Sequence, residues 1–220
     1  MISLCLAVLA ALQVLMAVAA WRSGGRGRLT ALLGCALAYD SAVIAAGRVL
    51  GEGDVLEALS VGRFAVHAFG TPLVLPCAAL ALRWGGRETA ASWACAGVLT
   101  VLGVSMTLPG LELEPRRWAD TLRYADAEPG GFPVAAVSAI VLLFLIGLAA
   151  WIRRRLPWIA LGALAVFVAS AAAFAAPPLG NLGEALMLAG LLYTLHGAER
   201  GARPPPARPV RRSHQRVAEE

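Results

Sequence analysis

The sequence predicts an all-α membrane protein, a polytopic bundle of seven transmembrane helices with its N-terminus outside and its C-terminus cytoplasmic. Three observations predict it. Of 220 residues, 59% are hydrophobic and only 15% charged, where a soluble domain carries roughly 25% charged residues. The apolar residues gather into stretches close to the ~20 residues that a helix needs to cross a hydrocarbon core about 30 Å thick. Between these stretches, arginine-rich connectors alternate with connectors that carry acids.

In chain order the spans are Ile2 to Ala20, Leu29 to Val49, Phe64 to Leu82, Ala90 to Leu108, Phe132 to Ile152, Leu156 to Ala176 and Leu179 to Leu195. The first ends in small residues, Ala17 to Ala20, as a secretory cleavage site would. No basic residue precedes the run and Arg22, Arg26 and Arg28 follow it, so it reads as a retained span. The third carries Pro72 and Pro76, which have no N–H for the carbonyls of Ala68 and Pro72, and a kink is expected there. The seventh is short and follows Pro177 and Pro178, which leaves a six-span chain with a re-entrant last segment as the alternative. Between the fourth and fifth spans, Pro109 to Gly131 reads as an outer loop. Pro115 would start a short interfacial helix there, with Trp118, Leu122 and Ala125 on one face as a lid over the bundle. Residues 1–199 form the membrane domain, and the Arg- and Pro-rich residues 200–220 read as a disordered cytoplasmic tail.

Arginine placement sets the orientation. Arg22, Arg26 and Arg28, then Arg83 and Arg87, then Arg153, Arg154 and Arg155, then the run from Arg200 occupy alternate connectors, and the positive-inside rule puts these in the cytoplasm. Glu52, Asp54 and Glu57, and the acids of the Pro109 to Gly131 loop, fall outside. Trp21, Trp84, Trp151 and Trp158 accompany the inner arginines, at the headgroup level that indole rings prefer. All 19 basic residues are arginine, amid abundant Ala, Gly and Pro, the mark of a GC-rich bacterial genome. The compartment that follows is the inner (plasma) membrane.

The same counts exclude several classes. A retinal Schiff base needs a lysine amine, and the chain has no lysine. A bis-histidine haem needs two imidazoles at one depth, whereas His67 is outer, His196 inner and His214 in the tail. Cys5, Cys35, Cys77 and Cys95 lie inside spans without paired spacing, which supports neither disulfides nor a zinc site. The net charge of +5 is accounted for by arginines at helix ends, so nucleic acid is no expected partner. No cofactor and no metal are expected; the expected partners are membrane lipid and a lipophilic small molecule.

An ionisable group inside a span is costly and marks a functional candidate when partners can be named. Asp40 sits mid-span beside Tyr39 and Ser41, with Arg48 and Arg63 as its candidate ion-pair partners. Arg63 and His67, four residues apart, share one face of the third span. Glu184 and Asn181 lie at the outer end of the seventh, and Thr71 lies at the proline kink. Packing the second, third and seventh spans together would form an outward-opening polar pocket. Asp40, His67 and Glu184 are then the candidate acid–base groups, and Tyr39, Arg48, Arg63, Thr71 and Asn181 the candidate substrate contacts. The expected activity is proton chemistry, a cyclisation or isomerisation, on an isoprenoid-like or lipid substrate. The alternatives are a non-catalytic scaffold or assembly subunit, or a small proton-coupled transporter in which Asp40 titrates.

Overall fold

The computed structural model describes residues 1–127, 133–173 and 175–201. From residue 202 onward the expected tail, with His214, lies outside the described residues. The described chain is mostly helical. In order, α1 spans Ile2–Arg22, α2 Arg28–Leu50, α3 Asp54–Gly70, α4 Val74–Ala81 and α5 Gly86–Thr107; after a β-hairpin come α6 Val134–Arg154, α7 Trp158–Ala172 and α8 Pro178–Gly201. Five helices among the described residues are long and apolar enough to cross a membrane: α1, α2, the Asp54–Ala81 run that joins α3 to α4, α5 and α6. Helix α7 is a shorter apolar helix of 15 residues, and α8 has 24.

The two prolines act as their chemistry requires. Helix α3 stops at Gly70, a 3-10 turn covers Thr71–Leu73, and α4 resumes at Val74. On α5, a methyl group added at Gly103 would come within 3.3 Å of the carbonyl oxygen of Ala68, one of those Pro72 cannot serve. The third span also starts earlier than Phe64. Asp54 and Glu57, expected in a connector, form the first turn of α3, where acids complement the helix dipole.

The outer loop differs more. Pro115 starts no helix; Leu113–Trp118 (β1) and Thr121–Asp126 (β2) pair antiparallel, with Leu113 opposite Asp126 and Trp118 opposite Thr121. An interfacial helix would have offered Trp118, Leu122 and Ala125 as its apolar stripe. The strand period instead puts Leu122 and Tyr124 on one face, where they bury against Val43 of α2 and Leu56 of α3. A Cβ on Gly47 would lie 1.8 Å from the Leu122 carbonyl oxygen, so only glycine lets β2 sit this close to α2. The tight turn puts Ala119 at φ 49. Its neighbour Asp120 binds the start of α1, accepting from the Met1 ammonium and from the Ile2 N–H at 2.8 Å, while its carbonyl accepts from Ser3 Oγ at 2.7 Å. The Tyr124 hydroxyl accepts from the Gly53 N–H at 3.1 Å.

One end of the bundle therefore holds the start of α1, the α2–α3 turn and the hairpin. The other gathers arginine-bearing turns: Arg154 Nη1 donates to the Leu82 carbonyl at 2.6 Å, and His196 Nε2 lies 3.0 Å from Ser23 Oγ. Between them a core of Leu75, Leu143, Leu188 and Leu191 with Ile159 and Ala163 closes the bundle. Helices α7 and α8 approach through Gly162, Gly183 and Gly190, as small residues allow where helices associate without a hydrophobic drive from water. Large apolar side chains such as Leu4, Leu15, Val98, Val101 and Phe167 stay exposed on the periphery, which suits an apolar solvent.

Candidate functional site

Three helices build the site by spacing. Arg63 and His67 sit one turn apart on α3, Asn181 and Glu184 one turn apart on α8, and Asp40 faces both from α2. Asp40 is 2% exposed. Its Oδ1 accepts from Arg63 Nε at 2.7 Å and its Oδ2 from Asn181 Nδ2, which also lies 3.3 Å from Ser41 Oγ. Each oxygen of this buried carboxylate has a donor, one of them a cation, so the desolvation of both charges is answered within the cluster.

One turn further in, the protons are arranged differently. His67 Nδ1 is 3.0 Å from the Arg63 carbonyl oxygen and Nε2 is 2.9 Å from Glu184 Oε1. A carbonyl only accepts, so Nδ1 carries the hydrogen in that contact. The bond to Glu184 then holds one proton that belongs either to Nε2, giving imidazolium and carboxylate, or to Oε1, giving neutral imidazole and carboxylic acid. Glu184 Oε2 is buried without a hydrogen-bond partner among the described residues. His67 and Glu184 form part of the wall of a cavity of about 150 Å³, otherwise lined mainly by apolar residues such as Leu37, Val66, Val74 and Ile140.

Of the residues expected at the site, the structure brings Asp40, Arg63, His67, Asn181 and Glu184 together. Thr71 lines the cavity at the kink. Tyr39 points elsewhere: its hydroxyl donates to the Leu59 carbonyl at 2.8 Å and fills the space left by Gly62, pinning α2 to α3. Arg48 lies exposed near the end of α2 and Arg63 takes the ion pair instead. Asp40, His67 and Glu184 do offer ligand atoms within 4.8 Å of one another. The Arg63 cation already occupies Asp40, and the two ring nitrogens of His67 face different carboxylates, 3.9 Å to Asp40 and 2.9 Å to Glu184. A single ion takes one nitrogen per imidazole, so the donor set suits a proton better than a metal.

Two residues escaped the sequence reading. Gln13 is fully buried mid-way along α1, with neither amide atom partnered among the described residues; it was hidden in an apolar run. Arg123 was one of several loop arginines, and only the strand assignment brings it over the bundle. Burial in the hairpin, with the like charge of Arg63 near, lowers its pKa from the ordinary value, and Asp40 pulls the other way.

Fold and site together define a helical protein with several membrane-length apolar helices and a buried acid–base cluster at one end of the bundle. Comparison with protein-family models, with curated proteins and with solved structures finds no match to this chain.

Proposed function

We propose that this is a seven-span protein of the inner (plasma) membrane, N-terminus outside, that performs acid–base chemistry on a lipophilic substrate through His67 and Glu184. The arginine alternation supports the orientation. At ~1.5 Å per residue, the 24 residues of α8 are enough to cross, and α7 with its flanking residues would complete the count.

The observation that carries the chemistry is the 2.9 Å contact between His67 Nε2 and Glu184 Oε1 on the wall of an apolar cavity, a contact that needs one proton between the two atoms. A cavity of about 150 Å³ takes roughly a benzene-sized group, so it would hold the reacting portion of a substrate whose remainder lies among lipid or helices. Delivery of the proton to one carbon of an alkene leaves a cation, and the pair recovers a proton from a neighbouring carbon. The double bond moves or a ring closes, and the pair returns to its starting state with no co-reactant. General acid–base groups of this kind contribute about 10²- to 10⁴-fold in rate. Asp40, closed by Arg63 and Asn181, is assigned to holding His67 and its backbone in place.

A scaffold reading has its own support, since the Asp40–Arg63–Asn181 contacts cross-link α2, α3 and α8 and would order a subunit with no reaction. Lipid extracts from cells expressing wild type, His67→Gln and Glu184→Gln, compared by mass spectrometry, separate the two. The enzyme reading expects a wild-type-dependent species lost in both variants while the proteins stay folded. Identical extracts from all three would overturn it.

A further inference from the structure

Helices α4 and α6 end side by side at the arginine end of the bundle, and both stop in the same way. After α4, Arg83 takes φ 56 and the Trp84 N–H bonds back to the Ala79 carbonyl at 3.0 Å; after α6, Arg155 takes φ 58 and the Leu156 N–H reaches the Ala150 carbonyl at 3.5 Å. The first of these turns folds Trp84 back onto the core. Arg154 then crosses from α6 to α4 through its bond to the Leu82 carbonyl. Here lies a cavity of about 90 Å³, lined by the apolar Leu82, Ile146 and Ala149 and by Trp84, Arg153 and Arg154.

Every polar side-chain group on this lining is a donor: two guanidiniums and an indole N–H. Arg154 gives Nη1 to the Leu82 carbonyl, and the side chains of Arg153 and Trp84 have no hydrogen bond or ion pair among the described residues. The surrounding charge supplies no acceptor either. The two turns hold Arg83, Arg87, Arg153, Arg154 and Arg155 against Glu88 alone, and Glu88 bends over Gly85 in the first turn of its own helix, α5. The two helix C-termini add about half a negative charge each, which leaves the excess positive. Arg22, Arg26 and Arg28 in the neighbouring turn add to it, while Glu199 and Arg200 at the end of α8 cancel in charge. The sequence from residue 202 onward holds more arginines than acids.

An anion fits such a set of donors, a guanidinium matching the oxygens of a phosphate in geometry as well as charge, and the walls say which kind. Ile146 lies seven residues before Arg153 on α6, two turns or about 10 Å, so the donors sit at one end of the cavity and the apolar lining runs towards the middle of the bundle. At the same helix end Trp151 and Ile152 are exposed, which sets the arginines where an apolar solvent gives way to water. A volume of about 90 Å³, about three times a water's liquid share of roughly 30 Å³, takes a phosphate group and not a whole lipid. We propose that this groove binds the phosphate of an anionic phospholipid in the leaflet at the arginine end, with Arg153, Arg154 and Trp84 as donors and an acyl chain leaving along Ile146. A zwitterionic head would bring its own cation to a rim that is already cationic. The assignment is independent of the acid–base reading of the His67 cavity.

The test uses the full chain in a nonionic detergent, titrated with phosphatidylglycerol, phosphatidylcholine of the same acyl chains, or glycerol 3-phosphate, with thermal stabilisation as the readout. Phosphatidylglycerol is expected to raise the Tm at concentrations at least about tenfold below those needed for phosphatidylcholine, as charge-assisted contacts supply, and glycerol 3-phosphate to have little effect. Arg153→Gln removes an exposed cation that holds nothing in the fold, so it should weaken the phosphatidylglycerol response about tenfold and leave the Tm without lipid unchanged. Arg154→Gln should weaken the response as much and also lower the starting Tm, since the Leu82 carbonyl loses its donor. Arg22→Gln, an equal change of charge at the same end of the bundle but on α1, should match wild type. Equal responses of wild type and Arg153→Gln to phosphatidylglycerol would overturn the proposal. So would an equal loss in Arg22→Gln and Arg153→Gln, the mark of diffuse attraction to the whole arginine end, or equal potency of the two phospholipids. Glycerol 3-phosphate as potent as phosphatidylglycerol would overturn it as well, as the mark of a site for a free anion.

Discussion

Asp40 and Glu184 are two carboxylates on different helices around one histidine, and they differ in what is left over. Both oxygens of Asp40 are taken, by Arg63 and Asn181, in a place almost without solvent. Glu184 gives one oxygen to His67 and keeps the other, at a cavity wall, unpartnered among the described residues. The first arrangement holds the two charges apart from any reactant and ties three helices. The second sets a carboxylate–imidazole contact and a spare carboxylate oxygen beside an apolar cavity. Charge inside a bundle is thus no sign of chemistry by itself; a spare valence facing a cavity is the better one.

The sharpest way to break this comparison is Asp40→Asn. It leaves the Arg63 guanidinium buried without its counter-charge and should cost about 3 to 5 kcal/mol, read as a large drop in Tm in detergent. Wild-type stability would mean that Asp40 is held neutral and belongs with Glu184 as an acid. Gly47→Val tests the hairpin that covers both groups: its side chain would meet the Leu122 carbonyl, and overpacking of this kind costs about 1 to 3 kcal/mol. Trypsin should then cut faster at Arg123. An unchanged cleavage pattern would mean that β2 does not rest on α2.

Glu184→Gln should barely move stability, by less than about 1 kcal/mol, because the amide keeps the size of the acid and can still donate to His67 Nε2. Its effect is expected on the product instead. A loss of stability as large as that of Asp40→Asn would erase the distinction between the two carboxylates. The smallest effect concerns the exposed Asp120. The Met1 ammonium and the Ile2 N–H hold its carboxyl pKa down to about 2. Because folding lowers this pKa from 3.8, its contribution is complete above the ordinary value and is lost as pH falls through about 2. Protection of the Ile2 amide, its exchange rate relative to the intrinsic rate at each pH, should be lost only in that acid range, and in Asp120→Asn it should be low at neutral pH as well.

Much of this was legible in the residues. Hydrocarbon admits few polar groups, so apolar runs near membrane length marked the helices, and Pro72 with Pro76 marked the break between α3 and α4. Counting turns along each span put Arg63, His67 and Glu184 towards one end before any packing was known. The boundaries were less legible: α3 begins at Asp54 because its acids suit a first turn, while a hydropathy reading ends the span where the apolar residues end.

What the sequence by itself determined is therefore the helical class, the kink and the short roster of polar residues that needed a partner, since each follows from local periodicity and from the cost of burying charge. Only the tertiary structure decided the pairings. Arg63 rather than Arg48 meets Asp40, Tyr39 turns to the Leu59 carbonyl, and Glu184 reaches His67, because lateral neighbours depend on how separate helices dock and not on spacing along any one of them. The hairpin belongs to the same category. Its residues read as a short amphipathic helix, and it is the burial of Leu122 and Tyr124 against Val43 and Leu56 that makes them a pair of strands.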